Sequence, residues 1–410
     1  MLFRSDSEIE QEDIANQTQA GSDVRPAWRV GLRVQAGQAV QQTNANGGNM
    51  GSGNFSVYND FNLSPTYLSS VEQHSRLAAA ATNSKDRAVL DAIAKERANG
   101  LESTINGIEG LLFGDGSGSL RQIPSTAQIS SGSGTGNNTS FISGINALVF
   151  SDNMVIQVFP SEGGNSRGPA TVSTSDGATG TVFFSTALPA GTTQGDFLVI
   201  NGASGAVGSS ILGTTAWVNS ASTGFLAGLN RANFPSRISS PSINKNGGSL
   251  VASDSQKFTA LMQRVVGTKG EEVVNQVMII STGISANIAE STWYNRQLTN
   301  ALEGGSGVPD TAKKGSVTKF GGRRIIVANA QPEGRIDVLS LKDWKKGNLI
   351  QLQPYMYAPG MTVFPVIATD GSGQITTAFQ SALETSFAIA TGAPRRQLFV
   401  ENVAETDLNA

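Results

Sequence analysis

The chain carries one histidine, His74, and no cysteine among its 410 residues. Those two counts remove much of catalytic chemistry at once. Without thiols there is no disulfide, no thiolate nucleophile and no cysteine-held zinc. A zinc site needs three or four ligands, and His74 cannot assemble one alone. A Ser-His-Asp triad would need His74, and no Gly-x-Ser-x-Gly elbow accompanies it. Within VEQHSRL it reads as a polar residue on a helix surface or at a contact between chains. Neither Gly-x-Gly-x-x-Gly nor Gly-Lys occurs, so both phosphate-cradling loops are absent. Asp115-Gly-Ser-Gly and Asp370-Gly-Ser-Gly lack the alternating carboxylates of a calcium loop and read as turns. The expectation is no catalytic residue, no metal site and no cofactor.

What remains is charge distribution and large apolar side chains, and the elements that carry them. Lys+Arg 29 against Asp+Glu 32 gives a formal net charge of -3, which lacks the basic excess of a polyanion-binding protein. The charge is uneven along the chain. Residues 1 to about 40 begin acidic, with Asp6, Glu8, Glu10, Glu12, Asp13 and Asp23 against Arg4. Between 313 and 346 stand Lys313, Lys314, Lys319, Arg323, Arg324, Arg335, Lys342, Lys345 and Lys346, opposed only by Glu333, Asp337 and Asp343. Aromatic interleaving is slight there (Phe320 and Trp344), so a solvated face is favoured over a nucleic-acid surface. Opposite signs at the two ends suggest a third reading, in which the acidic arm of one subunit lies on the basic segment of another.

Gly 47 and a charged fraction of 15% stand on either side of the usual ~7% and ~25%. Strands, turns and long loops follow from that, with much of the surface meeting other protein. The start, MLFRSDSEIEQEDIANQ, has no apolar stretch of signal-peptide length. No run approaches the ~18 apolar residues of a membrane span. A soluble protein that remains where it is made is expected.

Along the chain, WRVGLRV alternates apolar and basic residues as an addable strand would. Residues 41–68 are polar and Gly-rich yet hold Phe55, Val57, Tyr58, Phe61, Leu63 and Tyr67, which favours a projecting hairpin over a linker. Val71 to Leu112 reads as helical, its second segment capped at Asn83 or Ser84 and weakened by Gly107 and Gly110. Short β runs follow at ALVF, MVIQVF, ATVST, GTVFFSTAL, FLVI and WVNSA. SDSQKFTALMQRVV switches to helical spacing, with Phe258, Leu261, Met262, Val265 and Val266 on one face. NQVMIIST reads as a buried strand, followed by a helix through Ile288, Trp293, Tyr294 and Leu298. SVTKFGGRRIIVANAQPEGRIDVLSL forms two strands around a Pro/Gly turn, and QITTAFQSALETSFAIA with RRQLFVENV forms a terminal antiparallel pair.

Four of these stretches, taken in order, resemble the major capsid protein of tailed bacteriophages, the Hong Kong 97 fold. They are a long helix closed by LLFGDGSGSLRQI, VVNQVMIIST with its helix, KFGGRRIIVANAQPEGRIDVLSL, and ETSFAIATGAPRRQLFVENV. Each is weakly specific alone, and the specificity lies in their order over roughly 70–408. The resemblance implies an α+β chain with an N-terminal arm (1–40) and an extended loop (41–69). A peripheral domain with the spine helix (70–125) follows. The axial domain (126–335) includes a β-rich insertion at about 140–240, and 336–410 returns to both domains with the C-terminal strands.

The function so implied is a head protein, forming hexamers and pentamers of an icosahedral shell around double-stranded DNA. Another phage structural protein (tail, baseplate or decoration) is the alternative. Implied partners are further copies of itself, portal, scaffolding and decoration proteins, and non-specifically packaged DNA, with no membrane. The place is the virion, assembled in the host bacterial cytoplasm. Some members weld subunits through a Lys–Asn bond whose lysine sits in the extended loop. No lysine precedes Lys85, so a non-covalent shell is expected. Only a short acidic arm precedes the body, so a separate scaffolding partner, or none, is expected. Intersubunit contacts are assigned to Phe55, Tyr58, Phe61 and Tyr67, because aromatics dominate such contacts, and to Glu8 and Glu10 against Lys313, Lys314, Lys345 and Lys346.

Overall fold

The structure is a computed structural model and describes residues 10–13, 28–35, 57–75, 86–131, 140–266, 276–290, 319–367 and 375–405. Strands β1 (Glu10–Asp13), β2 (Trp28–Gln35), β3 (Val57–Leu63) and β4 (Thr66–Ser75) precede helix α1 (Asp86–Leu112). Seven strands follow: β5 (Ser119–Gln122), β6 (Gln128–Ser131), β7 (Ser140–Ser143), β8 (Val155–Phe159), β9 (Gly168–Asp176), β10 (Thr181–Phe184) and β11 (Phe197–Ile200). A helical turn α2 (Thr214–Trp217), the hairpin of β12 (Phe225–Leu226) and β13 (Leu229–Asn230), and α3 (Pro235–Ile238) come next. Then come β14 (Ser242–Gly248), α4 (Ala252–Val266), β15 (Val277–Ile280), α5 (Thr282–Glu290), β16 (Lys319–Phe320), β17 (Arg323–Val327) and β18 (Ile336–Leu339). The last strands are β19 (Trp344–Pro354), β20 (Val363–Ile367), β21 (Ile375–Thr391) and β22 (Leu398–Val403). The fold is α+β.

Three large sheets organise these elements. β21, 17 residues long, pairs with β4 along one side, while β19 and β20 lie end to end along the other. β1 adds in parallel to the outer edge of β19. A seven-stranded sheet runs β5-β11-β8-β9-β10-β7-β6, and a six-stranded one β14-β22-β18-β15-β17-β16. β15 lies inside the latter, and all four of its residues are buried, as expected for VMII. α4 covers this sheet through Phe258 and Met262, both fully buried, with Leu261 partly buried beside them.

α1 has 27 residues, about 40 Å at 1.5 Å per residue. It begins later than the helical spacing suggested, because Thr66–Ser75 is a strand. Along that strand Tyr67, Ser69 and Val71 are exposed while their neighbours are less so. Period two therefore wins over the three- and four-residue spacings. α1 runs on through Gly107 and Gly110 to Leu112. A Cβ at Gly110 would lie 3.1 Å from Leu120 Cδ2, and one at Gly107 3.5 Å from Met154 Cε. At Gly100 a Cβ would overlap the Glu72 carboxylate. Positions 100, 107 and 110 share one helical face, so the glycines are where α1 lies close on the sheets.

Other sequence expectations are corrected by tertiary context. ALVF is a 3-10 turn (Ala147–Val149) capped by the Asn146 side chain, which accepts from the Leu148 N–H. WVNSA is no strand, since Trp217 ends α2, where its Nε1 donates to Leu212 O and Ile389 O. β17 and β18 are the two strands read around the Pro/Gly turn, and β15 lies between them. β21 and β22 do not form the expected pair. The 3-10 turn Pro394–Arg396 sends β22 into the six-stranded sheet, beside β14 and β18. The sheet that holds β7 to β11 also takes in β5 and β6, which precede residue 140. Trp293, Tyr294 and Leu298 lie outside the described residues.

Candidate assembly surfaces

β2 and β3 form an antiparallel ribbon, from Trp28 opposite Leu63 to Gln35 opposite Val57. Alternation decides its two faces. Trp28, Val30, Leu32, Phe61 and Leu63 are buried, while Arg29, Gly31, Tyr58, Asp60 and Asn62 are exposed. WRVGLRV is thus an added strand, and what it joins is the ribbon of its own chain. Phe61 is fully buried and meets Trp217 edge-on, with ring centroids 4.9 Å apart at 87°. The Asn62 N–H donates to Ala227 O at 3.0 Å, which pins the ribbon to the β12–β13 turn. Phe61 is therefore a core residue and cannot anchor a neighbour. Tyr58 keeps 62% of its surface exposed on the outward face. Phe55 lies outside the described residues.

The long sheet supplies a second surface. Tyr67, Ser69 and Val71 of β4 face outward. The Tyr67 hydroxyl donates to Glu384 Oε2 at 3.0 Å, and Gln353 Nε2 donates to Glu384 Oε1 at 3.1 Å. Partial burial, together with the hydrogen bond to Glu384 and its charge, raises the Tyr67 phenol above its ordinary value. Leu352, Met356, Tyr357 and Met361 are exposed where β19 passes into β20. The sequence reading overlooked these four. The signal was present in YMYAPGM, because a Pro-Gly turn sits at the surface and carries its large neighbours with it.

The basic stretch does not form one face. Arg323 is fully buried; its Nε donates to Gln276 Oε1 and its Nη2 to Thr259 Oγ1, while burial lowers its pKa. Arg335 pairs with buried Asp337 at 2.8 Å and lies over the Phe399 ring. Lys346 stands 4.9 Å from the Phe387 ring centroid. Lys345 and Lys346 are half-buried on β19, and β1 places Glu10 opposite Lys345 in backbone register. The acidic arm so described meets the basic segment of its own chain. Glu8, Lys313 and Lys314 lie outside the described residues.

Tests for chemistry give structural answers. Asp115 Oδ1 accepts from the Ser117 N–H at 2.9 Å and from its hydroxyl, with Gly116 and Gly118 at φ 92 and 81. That is a tight turn, and Asp370 lies outside the described residues. A cleft of about 760 Å³ beside it is lined by Asp115, Arg121, Gln122 and Glu333 among others. Arg121 donates to Leu120 O and Asn329 O, and its guanidinium pKa is pushed down to about 10 by burial, against the charges of Glu333 and Glu405. Among the described residues no three metal-donor side chains cluster, and no helix is long and apolar enough to cross a membrane. His74 lies on strand β4 opposite Phe379, not on a helix.

No protein-family profile matches the chain, and no curated protein matches it. Solved structures do. The capsid asymmetric unit of cyanophage A-1(L) is similar at 12% identity and a TM-score of 0.48, covering 92% of this chain and 88% of that one. The capsid of a native GTA particle is similar at 8% identity and 0.46, covering 97% and 88%. The phage G gp27 major capsid proteins with gp26 decoration proteins give 5% identity and 0.40, covering 96% and 88%.

Proposed function

We propose that the chain is the major head protein of a tailed bacteriophage, a shell subunit that assembles as hexamers and pentamers around double-stranded DNA. The observation that carries this reading is the placement of exposed large apolar side chains. Six of the exposed large apolar side chains, Tyr58, Tyr67, Val71, Met356, Tyr357 and Met361, sit on an outward ribbon face and along one extended sheet, and none of the six lines the 760 Å³ cleft. Apolar surface laid out in strips, away from a cleft, suits repeated protein contacts better than a small ligand. The ordered sequence resemblance and the 27-residue helix support the same reading. A closed lattice turns many weak contacts into a stable shell.

Under this reading the subunit is structural and not enzymatic, and it acts in the virion after assembly in the host cytoplasm. Portal, scaffolding and decoration proteins are its partners. Negative-stain microscopy and sedimentation of the expressed chain test it. Uniform shells or capsomer rings are expected. Tubes or trimers would favour a tail, baseplate or decoration role, and an inert monomer at high concentration would overturn the shell. Assembled particles boiled in detergent should run as one monomer band, because no lysine precedes Lys85 to form a cross-link from the arm or ribbon. A ladder would contradict that expectation.

A further inference from the structure

β8 and β9 are joined by the loop 160–167, which carries Glu162. Backbone bonds strap that loop to the turn that follows α1. The Gly163 N–H donates to Gly205 O at 2.9 Å, and the Gly208 and Ser210 N–H groups donate to Gly116 O at 2.9 and 3.0 Å. The Ser209 hydroxyl adds a bond to Ser117 O. Segment 203–210 thus ties loop to turn, and there the Glu162 carboxyl is hydrogen-bonded to that of Asp115. Two ionised carboxylates can only accept, so a bond between them requires one proton. Among the described residues, no cation stands in for that proton. Arg167, in the same loop, is held by Asp196, with Nε to Oδ2 at 2.9 Å and Nη2 to Oδ1 at 3.2 Å. Residues 197–230 contain no charged residue. Glu109 is the last charged residue of α1, and a helix C-terminus itself carries partial negative charge. In the cleft beside Asp115, Arg121 donates to Leu120 O and Asn329 O, and the other charged group in the lining is Glu333.

We propose that Glu162 and Asp115 form an acid-closed latch, a shared proton fastening the β8–β9 loop to the turn that follows α1. The bond to Asp115, then partial desolvation, then the Asp115 charge hold the Glu162 carboxyl above its ordinary value. A group whose folded pKa is raised gives stability that is present below its ordinary value, 4.5, and lost as pH rises through the folded one. Deprotonation leaves two like charges in contact beside a helix end that repels both. The Gly163 N–H, next to Glu162 along the chain, is then exposed whenever the loop lifts from Gly205. The motion is confined to the loop, because the Arg167 N–H donates to Val158 O at 2.7 Å and the β8–β9 ladder holds both ends. The latch acts within one chain and does not depend on the shell reading.

Amide hydrogen exchange of the loop 160–167, corrected for intrinsic rates from about pH 4 to about pH 7, tests the latch. Residues 336–339 in β18 serve as an internal control for folding. Protection at Gly163 should fall about tenfold as pH rises through the folded value, while the control stays level. Glu162→Gln offers Asp115 an N–H donor without needing a proton, so protection should be high and level across the range. Glu162→Ala removes the bond, so protection should be low and level. A level profile in the unaltered chain, or a surviving step in Glu162→Gln, overturns the proposal. So does a midpoint that moves with protein concentration, because a latch within one chain cannot depend on a second copy. Glu162 is exposed and lies outside both buried clusters, so both variants should fold and leave the comparison intact.

Discussion

Asp337 is fully buried, and three side chains donate to it: Thr214 Oγ1 at 3.1 Å, Gln331 Nε2 at 3.1 Å and Arg335 Nε at 2.8 Å. Arg335 in turn donates to Val218 O and stacks on Phe399. One carboxylate thus ties the 214–218 segment to the six-stranded sheet. Asp337→Ala would leave the half-buried Arg335 guanidinium without its counter-charge and Thr214 and Gln331 without their acceptor, so equilibrium denaturation should show a loss of about 3 kcal/mol. Asp254 behaves differently with pH. Burial pushes its carboxyl up, but hydrogen bonds from Lys245 and the Val251 N–H, with the lysine charge, prevail and lower its pKa below 3.8. A depressed folded pKa gives stability that is present above the unfolded value and lost as pH falls through the folded one. The start of α4 should therefore loosen only below about pH 4, and Asp254→Asn should remove that acid dependence in a pH-resolved melt.

At the scale of elements, the junction between α1 and the 213–217 turn is the tightest backbone approach described. A Cβ on Gly213 would sit 2.4 Å from Leu112 O and 2.6 Å from both Leu111 O and Gly114 O. These are backbone atoms at a helix end and cannot swing aside. The Thr215 hydroxyl donates to Phe113 O at the same place, satisfying one of the carbonyls that a helix end leaves open. Gly213→Ala should cost about 1–3 kcal/mol, the usual range for overpacking, read as a lowered melting temperature. Sequence reasoning could not find this junction, because Thr215 and Phe113 stand 102 positions apart along the chain.

Across the whole molecule, one buried cluster joins the ribbon (Trp28, Phe61), the end of α1 (Leu111), the seven-stranded sheet and the base of the long sheet (Trp344, Ile389). A second lies under α4 and α5. Neither uses the outward tyrosines. Replacing Tyr58, Tyr67 and Tyr357 together by Ala should shift unfolding by no more than about 0.5 kcal/mol per site, as is usual for exposed positions. The same variant should lose the large particle in sedimentation. Unimpaired assembly would remove these side chains from the proposed contacts.

Residue types alone settled what the chain lacks: with one histidine and no cysteine, thiol chemistry and cysteine-held metal could be discarded before any fold was known. Local periodicity likewise placed α4, the buried β15 and most strands between 155 and 200, because an amphipathic helix or a fully apolar strand states its own burial. What it could not decide was partnership. Phe61 and Tyr67 are both aromatic residues in one polar stretch, yet Phe61 meets Trp217 in the core and Tyr67 stays half-exposed on β4. Thr66–Ser75 became a strand because β21 offers it ten paired residues. Arg323 left the basic face because Thr259 and Gln276, distant in sequence, receive it in the interior. Burial and pairing depend on what lies across space, and only the tertiary structure supplies those neighbours.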